Sequence, residues 1–163
     1  VKTFYFTNPT YDRHKGQEIR LLIEKETSIE LVSPFYDRAG TPTAEIAKLD
    51  KGEKSHISSA EIVQTDFNLV RKLDGIVAYI TRKTSWGSIS ECVFAWTLGK
   101  PVYLIFDPRS QGNCKSCGTF NNNAPKHPFP SELGTKFGNV EAFINFAKEK
   151  YHEAESKNPA NNG

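Results

Sequence analysis

The sequence lacks methionine altogether, an absence with no bearing on function, and has only three cysteines among 163 residues. Cys92, Cys114 and Cys117 are odd in number, which argues against a disulfide framework and fits reduced thiols. Long hydrophobic runs are missing as well: nothing approaches the roughly 18 apolar residues of a membrane span. The opening residues, Val1 to Thr10, read as a strand and not as a basic region followed by an apolar signal core. A cytoplasmic protein with no membrane partner is the expectation. Charge of one sign is also lacking, since 21 basic and 19 acidic side chains, net +2, are spread without blocks, and binding to long nucleic acid is disfavoured. No internal repeat is present.

What remains is ordinary globular material. Apolar residues make up 37% and charged residues 25%, well clear of the compositional regime of disorder, and the length suits one domain with one core. Apolar spacing switches repeatedly between strand-like and helix-like periods, the pattern of an α/β sheet with crossover helices. Phe4-Tyr5-Phe6 opens it. Ile19, Leu22 and Ile23 lie at helical spacing within about 16–26, and Ile29 to Val32 reads as a strand stopped by Ser33-Pro34. Residues 37–57 are polar and turn-rich, a loop or a loop with a short helix. Ser58 with Glu61 forms a capping-box start for a helix carrying Ile62, Phe67, Val70 and Leu73, ended by Asp74-Gly75. The runs 76–80 and 101–106 are apolar on both faces, as central parallel strands require, with a helix over about 88–98 between them, ended by Gly99. The pattern fails from Asp107 to Gly138, a length that suggests a functional lid or interface loop. A last amphipathic helix spans about 140–151. The expected architecture is a single-domain parallel sheet with flanking helices, Rossmann-like or flavodoxin-like, over residues 1–154, and a disordered tail over 155–163.

Ligands of open parallel α/β sheets bind outside the carboxyl ends of the strands. That rule selects Thr7-Asn8-Pro9, Phe35-Tyr36-Asp37, Thr81 to Ser88, and Asp107-Pro108. The stretch Ser85-Trp86-Gly87-Ser88-Ile89-Ser90-Glu91 is a strand-to-helix connection whose carboxylate falls in the first helical turn, where the helix end favours an ionised acid. A nucleophilic carboxylate needs that ionisation. Ser88 and Glu91 also satisfy a capping box, in which Glu91 merely bonds back to a backbone amide. Asp66 lies mid-helix, where an acid is ordinarily solvated. Two separated carboxylates meeting in one cleft are nevertheless the equipment of retaining glycoside chemistry. Cys114 and Cys117 supply two soft ligands, His127 a third, and no fourth is evident, so no metal site is expected. Cys92 is expected in the core.

Three segments resemble the nucleoside 2-deoxyribosyltransferase family in order and spacing. Phe4-Tyr5-Phe6 is similar to its first strand. Thr65-Asp66-Phe67-Asn68-Leu69 through Asp74-Gly75-Ile76-Val77 resembles its next helix and strand. Gly87-Ser88-Ile89-Ser90-Glu91, running into Ala95 and Leu98-Gly99-Lys100-Pro101-Val102, looks like its glutamate signature. Residues 2–106 are covered. The resemblance implies Glu91 as nucleophile, Asp66 as acid and base, Tyr5 as the residue positioning the nucleophile, and Asn8, Asp37, Ser85, Gly87 and Ser88 as substrate-binding positions. Two positions depart from the family pattern. Val93 stands where the family has Gly, and Ser85 stands where the transferases carry a sugar-contacting Asp. In the related deoxynucleoside 5′-monophosphate N-hydrolases a Ser at that spacing contacts phosphate, and Arg13, His14 and Lys15 are candidates for further phosphate charge.

The implied reaction is attack of Glu91 on the anomeric carbon of a nucleoside or nucleotide, through a glycosyl-enzyme, with transfer of the deoxyribosyl group to another base. It serves nucleotide salvage and needs no cofactor. Hydrolysis of a nucleoside 5′-monophosphate, and non-catalytic nucleotide binding or sensing, are the alternatives. The family also implies a homo-oligomer in which a neighbouring subunit completes the pocket, with Asn121 to Asn123 as candidates for its Asn.

Overall fold

The computed structural model describes residues 1–54, 57–81, 85–108 and 132–156, with side chains to residue 151. Its elements are β1 (Thr3–Thr7), α1 (Arg13–Glu26), β2 (Glu30–Val32), α2 (Ala44–Asp50), α3 (Ser59–Lys72), β3 (Gly75–Ile80), α4 (Trp86–Thr97), β4 (Val102–Phe106), β5 (Thr135–Phe137) and α5 (Val140–Ser156). A 3-10 turn, Thr10–Asp12, leads into α1.

Five strands pair in the order β2-β1-β3-β4-β5, and every pairing is parallel. The chain moves from β1 to β2 on one side, then returns to place β3 on the other side of β1. This reversal makes the β1/β3 boundary the topological switch point, the place where an open α/β sheet leaves a crevice at its carboxyl edge.

Alternation along the strands divides the core in two. Phe4, Phe6, Val77, Tyr79, Tyr103 and Ile105 point to one face, under α1 and α5, where Ile19, Ile23, Phe143 and Ala147 complete the packing. Tyr5, Ile76, Ala78, Val102 and Leu104 point to the other, under α3 and α4, against Val70, Cys92 and Ala95. Covering on both faces is why β3 and β4 read as unbroken apolar runs. Each such side chain, fully buried, stabilises the fold by about 1.5–3 kcal/mol.

The local signals act where the residues stand. Ser58 Oγ accepts the Glu61 amide at 3.3 Å while the Glu61 carboxylate accepts the Ser58 amide at 2.8 Å, a complete capping box that starts α3. Lys100 Nζ donates to the Arg71 carbonyl at 2.6 Å and to the Leu73 carbonyl, satisfying the end of α3. Gly99, at φ +67°, takes the left-handed conformation that closes α4.

Three elements differ from expectation. α1 begins at Arg13, three residues earlier than its apolar spacing indicates. β5 lies inside the stretch where no pattern is visible, because three residues of an edge strand carry no period; its pairing with β4 defines it. α5 runs to Ser156, past residue 155 where the tail was expected to begin, and residues 157–163 lie outside the described residues. The short helix allowed within 37–57 is present as α2. Among the described residues, no helix is long and apolar enough to cross a membrane.

Candidate active site

The carboxyl edge at the switch point collects side chains from three elements. Tyr5, on β1, points toward α3 and α4, and its hydroxyl donates to Glu91 Oε1 at 3.2 Å in a buried setting. Asp66, half-buried on α3, interacts through its carboxyl with both the Tyr5 hydroxyl and the Glu91 carboxyl. Three residues, Tyr5, Asp66 and Glu91, the outer two 86 positions apart in sequence, are thus joined in one cluster. Phe67, next to Asp66, stacks on Phe94, one turn beyond Glu91, with ring centroids 4.3 Å apart and planes at 14°. The Arg71 guanidinium lies over the Phe94 ring at 5.0 Å. This clamp holds α3 against α4 and therefore holds the two acids together.

Local structure corrects one expectation about Glu91. α4 starts at Trp86 and its N-cap is Ser85, whose Oγ accepts the Ser88 amide at 3.3 Å. Glu91 is the sixth residue of the helix, in its second turn, beyond the reach of the helix-end field. The Ser88–Glu91 capping box does not form. Ser88 is buried with its hydroxyl 2.8 Å from that of Thr7, and Glu91 faces Tyr5 instead.

Electrostatics at the cluster follow from burial. Glu91 is 6% exposed, and desolvation, reinforced by the charge of Asp66 and opposed by donors on Thr7 and Tyr5, pushes its carboxyl up to about 7. Its Oε2 is buried without an aligned donor. Asp66 is raised as well, chiefly by desolvation and against hydrogen bonds with Tyr5 and Glu91. Tyr5 is raised by burial first and by the two carboxylates second, so it stays a donor. Two acids in contact share protons as a pair, and the stepwise titration belongs to the pair.

The other expected site positions are in different states. Asn8 is buried; its Nδ2 donates to the Pro9 carbonyl at 3.0 Å, and it packs so tightly on Gly16 that any Cβ at 16 would overlap its amide. Asp37 is exposed, and its carboxylate accepts the Thr41 amide at 2.8 Å, fixing a turn after β2. It is not one of the groups meeting Glu91. Gly87 is exposed in the first turn of α4, with room for a Cβ. The basic trio is engaged elsewhere: Arg13 pairs with Asp50, Lys15 with Glu18 at 2.8 Å, and His14 Nδ1 with the Tyr36 hydroxyl at 3.1 Å.

Sequence reasoning passed over Thr7 as a site residue, although it lies in a segment the strand-end rule selects. Tyr11 and Thr81 were also passed over; their hydroxyls meet at 3.1 Å and tie the loop after β1 to the end of β3. Cys92 is buried, and desolvation raises its thiol well above the usual range, an inert core residue. Cys114, Cys117, His127 and Asn121 to Asn123, and residues 109–131 of the lid expected after Phe106, fall at positions outside the described residues. Among the described residues, no group of three His, Cys, Asp or Glu side chains is placed to hold a metal ion.

No protein-family model and no curated protein matches the chain. Solved structures do. A CMP N-glycosidase from Clostridium botulinum, BcmB, aligns at 13% identity and TM-score 0.47, over 89% of this chain and 97% of its own. The 2-desoxiribosyltransferase from Leishmania mexicana aligns at 15% identity and TM-score 0.55, over 93% of this chain and 99% of its own. The chain has the α/β, flavodoxin-like fold of that 2-desoxiribosyltransferase over nearly its whole length.

Proposed function

We propose that this chain breaks the N-glycosidic bond of a nucleoside or nucleotide and passes the deoxyribosyl group to a second base, with Glu91 as nucleophile. The observation that carries this reading is the Tyr5–Asp66–Glu91 cluster at the switch point. The shared fold supports it.

Glu91 and Asp66 divide the work when the pair holds one proton. In the empty site that proton favours Glu91, the more buried acid. Its passage to the adjoining Asp66 creates both required groups at once, a carboxylate and an acid. A Glu91 oxygen then bonds to the anomeric carbon, the carbon–nitrogen bond breaks, and its electron pair stays on the base nitrogen, which takes the proton from Asp66. The Tyr5 hydroxyl holds Oε1, and Oε2, buried without an aligned donor, is the oxygen that attacks. In the second half Asp66 removes the proton from an incoming base, whose nitrogen displaces Glu91 from the sugar. Water in place of that base gives hydrolysis.

Activity on this scheme needs the singly protonated pair, so the rate follows a bell in pH with its alkaline limb near 7. The deciding experiment incubates the protein with deoxynucleosides and their 5′-monophosphates, with and without a second free base, and resolves the products by chromatography. A swapped nucleoside is the expected result. Free sugar makes the protein a hydrolase, and no turnover of any substrate returns it to the binding domains.

A further inference from the structure

The inward side of α4 buries Ser88, Glu91, Cys92 and Ala95. Glu91 is the only charged residue in Trp86–Thr97 and it faces Tyr5, so the outward side of the helix carries no charge. α1, α2, α3 and α5 each carry acids and bases. In place of charge, α4 has Trp86, Ile89, Val93 and Trp96, spaced three, four and three residues apart, which sets all four in one stripe along the helix. Trp86 is 82% exposed and Trp96 53%, with Ile89 and Val93 half-buried between them. A helix that is apolar on both sides belongs in an interior. The described residues of the chain cover one of those sides and leave the two indoles open.

We propose that α4 pairs antiparallel with α4 of a second copy of this chain across a two-fold axis. The stripe reads the same from either end, with tryptophan outermost and a β-branched residue inside it, and its midpoint falls at position 91. A two-fold contact is isologous, so where residue i meets j, j also meets i. In the antiparallel pair Trp86 of each copy meets Trp96 of the other, and Ile89 meets Val93. Every ring thus faces a ring, and every β-branched side chain faces another. Ser90 and Thr97, small and exposed beside the stripe, let the two helices approach. No charge is desolvated, and the opposed helix dipoles attract. Counted over two copies, the indoles supply about 400–700 Å² of the roughly 1,600 Å² that a stable pair buries, enough for the apolar centre of an interface. An unrelated partner would require no such symmetry in the stripe. The pairing also brings Trp96 of the second copy beside Trp86, next to the Ser85 N-cap at the carboxyl edge, and covers from outside the helix that carries Glu91.

Sedimentation equilibrium tests this without any substrate, so the outcome is independent of the proposed function. The parent should be a dimer at micromolar concentration. Trp96→Lys and Trp86→Glu each set a charge against an indole twice in the pair, and each should weaken it by about 100-fold or more. Both positions are exposed, so both variants should fold, which circular dichroism checks. An equimolar mixture of the two should recover the dimer, because pairing one variant with the other sets glutamate against lysine on one rung and keeps two indoles on the other. A parent that stays monomeric at about 100 µM overturns the proposal. A dimer whose dissociation constant neither substitution moves does the same. Variants that dissociate and do not recover on mixing overturn the antiparallel two-fold. Should a charged variant fail to fold, Trp96→Ala and Trp86→Ala read the same loss, about 30-fold or more each, and an unmoved constant in them is equally fatal.

Discussion

Replacing Glu91 with glutamine should stabilise the protein, and by an amount that grows with pH. Glu91 is 6% exposed, and its carboxyl is pushed from 4.5 to about 7. A difference of about 2.5 units at ~1.36 kcal/mol per unit is about 3 kcal/mol. The folded chain keeps this proton between roughly pH 4.5 and 7, a window in which the unfolded chain has lost it. Raising the pH through the window therefore removes stability, and the loss is complete above about 7. Glutamine keeps the shape and carries no charge, so it matches the protonated acid and escapes the loss. Parent and Glu91→Gln should melt together near pH 4.5, and the variant should be more stable by about 3 kcal/mol at pH 8. For a chain of this size that is roughly 6–12 °C in melting temperature. Urea titrations of both proteins at pH 5 and pH 8 supply the free energies, and the difference between the proteins cancels the groups that titrate independently of Glu91, which is every such group except its partner Asp66. A stability difference equal at the two pH values, or a less stable variant at pH 8, would refute the desolvation argument. The same variant should lose turnover entirely, a gain in stability against a loss of function of the kind expected at a strained site.

Asp66→Asn should slow the chemical step by 10²–10⁴-fold, the usual contribution of an acid–base group, and should lower the Glu91 midpoint, because the charge and hydrogen bond of Asp66 both raise it; an unchanged rate with a raised KM makes Asp66 a binding residue. Ser85→Ala removes the N-cap of α4 and should cost about 1 kcal/mol in a thermal melt. If Ser85 also meets a 5′-phosphate, the same variant should lose roughly tenfold or more on monophosphates relative to nucleosides, and a ratio near one dismisses that contact. Gly16→Ala should destabilise by about 1–3 kcal/mol, since the new Cβ overlaps the buried Asn8 amide; a neutral result in a urea melt means that the β1–α1 turn relaxes freely.

Local chemistry that repeats along the chain is what the sequence determined by itself. Apolar residues on both faces of 76–80 and 102–106 can be satisfied only by helices on each side, and the sheet is built that way. Ser58 with Glu61, and Gly99, act within a single turn of backbone, so their roles are visible without knowing the fold. The same local reasoning misassigned Ser88 and Glu91, whose spacing fits a capping box as well as Ser58 and Glu61 do. Only the parallel pairing of β1 with β3, which sets Tyr5 and Thr7 opposite α4, decides that Glu91 meets Tyr5 and Ser88 meets Thr7. Asp66 looks like a solvated helix acid until the Phe67–Phe94 stack turns its carboxyl toward Glu91. Arg13, His14 and Lys15 read as free charge until Asp50, Tyr36 and Glu18 arrive beside them. A strand of three edge residues such as β5 carries no period and exists through its neighbour. Periodicity and capping are encoded within a few residues, whereas desolvation, and the pairing of groups scores of residues apart, arise only when the sheet closes.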